Sequence, residues 1–72
     1  MAPVVLYIPS GLQRYDNFKD AIHGLRLVCK EAKLDRVWES DDGAFHHDFT
    51  GPSGSVCGQI VTGDKVENPE TY

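Results

Sequence analysis

Cys57, His46, His47 and Asp48 are the residue types of a thiol hydrolase, and His46-His47-Asp48 are those of a metal or acid–base site. Their spacing argues against both. Adjacent residues on a strand point to opposite faces, so the two imidazoles do not share one metal. A metal site would need further ligands, such as His23 or a cysteine, brought in by folding. No C-x-x-C, H-x-x-x-H or H-E-x-x-H spacing supports one. Cys57 falls on a predicted strand, not at a helix N-terminus that would favour the thiolate. A catalytic triad is defined by geometry, not by residue types. A chain of 72 residues is also expected to have little room for a substrate pocket. Cys29 and Cys57 therefore read as packing thiols, and a bridge between them requires the helix and the last strand to meet at disulfide geometry. Gly51-Pro52-Ser53-Gly54-Ser55 lacks the phosphate-binding pattern and leads into a strand, so it reads as a hairpin turn. No catalytic residue, metal or cofactor is expected, and the chain reads as a non-enzyme.

Charge carries more information. The formal net charge is −4. Residues 1–34 carry a net +2 and residues 35–72 a net −6, so the chain is electrically two-sided. Lys19, His23, Arg26, Lys30 and Lys33 recur at spacings of 4, 3, 4 and 3, a basic stripe if one helix holds them all. Such a row can follow a phosphate backbone. Aromatics for base stacking do not interleave with it, and the acidic total disfavours a general nucleic-acid binder. On the acidic side stand Glu39, Asp41, Asp42 and Asp48, next to the single tryptophan, Trp38.

The elements that position these residues follow from periodicity. Val4–Ile8 is an apolar run fenced by Pro3 and Pro9, a short strand. Ser10 to Tyr15 reads as a polar connection. Phe18, Ala21, Ile22, Leu25, Val28, Cys29 and Ala32 form one apolar stripe, predicting a helix over 17–33 with Asp16 as N-cap and Leu34 just beyond its end. Gly24 inside it costs about 1 kcal/mol against alanine unless a close approach requires it. Arg36–Ser40 is a second strand with Val37 and Trp38 on opposite faces. Asp41-Asp42-Gly43 is a turn. Ala44–Thr50 is a third strand, with Phe45, His47 and Phe49 on one face and Ala44, His46 and Asp48 on the other. Ser55–Thr62 is a fourth. The polar residues 65–72 read as a tail that can fray.

The expected fold is a two-layer α+β domain over residues 1–64, β-α-β-β-β, with one helix on a mostly antiparallel sheet. The crossover from the first strand through the helix to the strand at Arg36–Ser40 is expected to be right-handed if those strands are parallel. One helix leaves a sheet face and two edges open, where another chain can pack. Trp38 is the expected hot-spot anchor on that surface. The expected function is binding: a small protein that occupies a larger partner with a basic surface, through Trp38, Glu39, Asp41, Asp42 and Asp48. Viral and accessory inhibitors of host machinery share this description at the level of class. Self-association through an open edge is a related expectation. The alternative is a nucleic-acid-binding module using Lys19, Arg26, Lys30 and Lys33. Met1 to Ile8 do not read as a signal peptide, and no apolar run reaches membrane-spanning length, so a cytoplasmic location is expected, the host cytoplasm for a viral protein.

Overall fold

The computed structural model describes residues 4–72; Met1 to Pro3, including the proline expected to fence the first strand, lie outside the described residues. Strand β1 is Val4–Ile8. Pro9 and Ser10 then reverse the chain, and Gly11 adopts φ 143°, a conformation suited to glycine. Gly11–Tyr15 pairs antiparallel with β1 as strand β2, where sequence reasoning placed a connection. The reason it was missed is burial. β2 is an edge strand exposed along most of its length, so it has no core-facing alternation to detect.

Helix α1, Phe18–Val28, follows at once. Its N-cap is Asn17 rather than Asp16: the Asn17 side-chain oxygen accepts from the Asp20 amide at 2.8 Å. The helix ends at Val28, short of the expected 33. Strands of 5–7 residues span about 16–23 Å at roughly 3.3 Å per residue. A helix of 11 residues matches the five-residue β1 beneath it at about 16 Å, whereas one running over 17–33 would reach about 25 Å and overrun that strand. Cys29 caps the end, its amide donating to Leu25 O at 2.8 Å, and a turn over residues 30–32 enters the next strand.

Strand β3 is Lys33–Glu39, beginning earlier than expected and taking in Leu34. Strands β4, Phe45–Thr50, and β5, Val56–Thr62, complete the sheet. The turns at 41–43 and 51–54 form as expected, with Gly43 and Gly54 at φ 87° and 85°. The sheet has five strands in the order β2-β1-β5-β4-β3, and every neighbouring pair is antiparallel. No parallel crossover arises, because β1 and β3 are not neighbours. The two-layer α+β architecture with one helix on an antiparallel sheet is thus as read from the sequence, with β2 added.

The core lies between the helix and one sheet face. Phe18, Ala21, Ile22 and Leu25 supply the helix side, and Val4, Leu6, Phe49 and Ile60 the sheet side. α1 lies over β1, β5 and β2; the 3-10 turn at Pro69–Thr71 lies against β3. Residues 65–72 therefore extend the helix layer. Val66 packs on the core, Tyr72 meets Phe18 edge-on at 5.4 Å, and Arg26 donates to the Tyr72 main-chain oxygen at 2.7 Å. A Cβ on Gly24 would run into the Tyr15 phenol, so this glycine lets α1 lie close to β2.

Gly58 sets the same approach on β5. A Cβ there would stand 2.6 Å from Leu25 Cδ1 and 3.2 Å from Tyr7 O. Gly58→Ala is expected to destabilise the protein by about 1–3 kcal/mol, measured by urea unfolding. A midpoint equal to wild type would refute this account of the helix–sheet contact.

Candidate functional site

Register places the polar side chains. In β3 a bulge between Leu34 and Arg36 shifts the pairing by one residue. Leu34, opposite Phe49, turns to the core, while Arg36, opposite Asp48, turns to the other face together with Trp38, opposite His46. Without the bulge, Leu34 and Arg36 would share a face. Asp48 is the hub of this open face. It accepts from Trp38 Nε1 at 3.0 Å and from Gln59 Nε2, and Arg36 Nε lies 3.4 Å from it. The Trp38 indole stacks on the His46 ring, with centroids 4.0 Å apart and planes 9° from parallel, and the Arg36 guanidinium lies 5.3 Å from the indole centroid. His46 Nδ1 donates to Gln59 Oε1 at 3.0 Å, and its Nε2 lies 3.1 Å from Ser40 Oγ. Ser40 in turn donates to Asp42. That bond and the Ala44 amide hold the Asp42 carboxyl below its ordinary range. A row of polar contacts thus runs from Gln59 on β5 through His46 on β4 to Ser40, just past β3, and on to Asp42 in the acidic turn.

The helix-side face holds a second arrangement. His47 is fully buried, its ring 4.7 Å from that of Phe18. Nδ1 lies 3.0 Å from Ile60 O. A carbonyl only accepts, so Nδ1 carries the proton and Nε2 a lone pair. That Nε2 has no hydrogen-bond partner among the described residues. Burial pushes the imidazole below its ordinary range, and the bond to Ile60 opposes this only in part. Beside it, between β3–β4 and residues 65–70, lies an open cleft of about 510 Å³. The chain was expected to have little room for one; the room arises because the helix does not reach this half of the sheet.

The residues read from the sequence are divided among these places. Trp38 and Asp48 meet on the open face, Trp38 half-buried and Asp48 engaged by Arg36, Trp38 and Gln59. Asp41 and Asp42 are exposed at the turn, and Glu39 points to the cleft side. Of the basic stripe, Lys19, His23 and Arg26 lie on α1, with Arg26 bound to the Tyr72 oxygen. Lys30 and Lys33 lie beyond the helix end, so helical spacing does not carry the row through them. Cys29 and Cys57 are free and half-buried beside each other, and Cys57 is pushed up to about 11, by burial first and by Cys29 second. The thiol, both imidazoles and Asp48 do not converge: His46 bonds Gln59 and Ser40, and His47 bonds Ile60. Among the described residues no cluster of three or more His, Cys, Asp or Glu is placed to hold a metal, and no helix is long and apolar enough to cross a membrane. Arg36, Gln59 and Ser40, which complete the open-face network, were not singled out from the sequence. The bulge that aligns two of its strands leaves no sequence mark.

Comparison with protein-family models, with curated proteins and with solved structures returned no match.

Asp48→Ala removes the acceptor of three groups. It is expected to cost about 1–3 kcal/mol and to shift the emission of Trp38, the single tryptophan. Unchanged fluorescence would refute the role of Asp48 in holding the indole. His47 makes stability pH-dependent. The unfolded chain takes up this proton near pH 6.5 and the folded chain only at lower pH. The contribution is therefore complete above about pH 6.5 and is lost as the pH falls from there towards the folded value. Urea midpoints at pH 7.5 and 5.5 are expected to fall in that order, with a smaller difference in His47→Phe.

Proposed function

We propose that this chain is a non-enzymatic binding protein that occupies the surface of a larger protein partner, with the uncovered sheet face as its contact. One observation carries the reading: Trp38 is held by a hydrogen bond and a stacked ring on a face that no other described element covers. A side chain already fixed loses little freedom on binding, which is what a hot-spot anchor requires. Tyr7 and Leu12 extend the same face as exposed apolar groups. Asp41 and Asp42 stand at its end, exposed and acidic, and suit a basic partner surface. Asp48 acts here as the holder of Trp38, since its charge is already matched by Arg36. The class of role is that of an accessory inhibitor, viral or otherwise, acting in the cytoplasm.

The test is capture of partners from native lysate, with and without nuclease. The expected result is one protein recovered under both conditions. Trp38→Ala is expected to reduce its recovery at least about tenfold, as loss of a hot-spot residue does. Asp41→Lys with Asp42→Lys is expected to weaken recovery and its salt dependence together. Recovery only with nucleic acid present would overturn the proposal and assign binding to Lys19, Arg26, Lys30 and Lys33.

A further inference from the structure

The cleft on the helix side of β3 has a defined chemistry. Val37, Phe45, Val66 and Pro69 give it apolar walls, and Val37 is 45% exposed within a fold whose other core-side strand residues are mostly covered. His47 lies at its floor, fully buried, and its Nε2 has no hydrogen-bond partner among the described residues. A buried acceptor without a donor is costly, so a ligand that brings an N–H or O–H to it gains more than one hydrogen bond in water. Glu39, Glu67 and Glu70 line the rim against a single basic residue, Lys65. The main chain of β3, an edge strand, runs along one side. An edge strand has free amides and carbonyls for a peptide backbone to follow.

We propose that this cleft receives a basic peptide segment of a partner protein, with a tryptophan or tyrosine side chain that displaces the side chains covering His47 and donates to its Nε2, and with flanking lysine or arginine meeting Glu39, Glu67 and Glu70. The proposal rests on the reading of the chain as a protein-binding module; Trp38 also borders the cleft, while its indole stacks on His46 on the other face of the sheet. Walls of valine, phenylalanine and proline suit an aromatic ring. The acidic rim selects positive charge and rejects negative charge. The volume, about 510 Å³, accommodates one large side chain and its neighbours.

The experiment is a nuclear magnetic resonance titration of the isolated, isotope-labelled protein with three tripeptide amides: acetyl-Lys-Trp-Lys, acetyl-Glu-Trp-Glu and acetyl-Lys-naphthylalanine-Lys. The last keeps the ring system and lacks the N–H. The first is expected to give saturable shifts at the Val37, Phe45 and Val66 amides and to move the His47 Nε2 resonance. The acidic peptide is expected to bind at least about tenfold more weakly, and the naphthyl peptide about fivefold more weakly. Glu67→Lys with Glu70→Lys, both at solvent-facing positions outside the sheet, is expected to abolish the preference for the basic peptide. Absence of saturable shifts at the cleft, equal affinity for the acidic peptide, or equal affinity for the naphthyl peptide would each overturn the proposal. Because no partner protein is present, failure here leaves the lysate experiment to stand or fall separately.

Discussion

A helix is about 10 Å across, and five strands about 4.8 Å apart span about 19 Å. This mismatch of width governs the molecule. α1 lies over β2, β1 and β5 and buries Phe18, Ala21, Ile22 and Leu25 against them. The β4–β3 half needs other cover, and residues 65–72 return to provide it through Val66, the 3-10 turn and Tyr72. The cover is incomplete, and the gap is the cleft. The far side of the sheet has no covering layer among the described residues, so polar side chains there satisfy one another instead.

Two bulges decide which residues meet on each side. The irregularity at Leu34/Arg36 sends leucine inward and arginine outward although they are two positions apart. The irregularity at Phe49/Thr50 pairs Thr50 with Val56 and Phe49 with Gly58, leaving Cys57 without an opposite residue and Gly58 under Leu25. An unbulged β3 would put Arg36 and Trp38 on the side of Leu34, and the Asp48 hub would lose two of its three contacts. The ion pair itself contributes little at such an exposed site. Its value is geometric, since it helps to fix the carboxylate that fixes the indole.

The two sides of β3 then differ in character. The open face offers a rigid aromatic beside an acidic turn. The helix side offers an apolar recess with an acidic rim and a buried acceptor. Both set acidic groups beside apolar ones, while the two thiols lie beside each other and each imidazole is bonded to its own neighbours. On the basic row, α1 carries Lys19, His23 and Arg26 and stops at Val28, before Lys30 and Lys33.

Apolar runs, helical periodicity and turn residues in the amino-acid order were enough for β1, α1, β4, β5 and both glycine turns, although the unbroken apolar run of β1 suggests burial on both faces and the strand leaves Tyr7 exposed. They also separated His46 from His47 and Val37 from Trp38, since neighbouring strand residues face apart. They were silent on β2, which buries too little to show a period, and they overextended the helix, because Cys29 and Ala32 reach the core from a turn as readily as from another helical rung. Strand order, the bulges, the Asp48 hub and the cleft were decided only in three dimensions. Each depends on which edges pair and on how far a short helix reaches across a wide sheet, and these are relations between distant segments that no local pattern records.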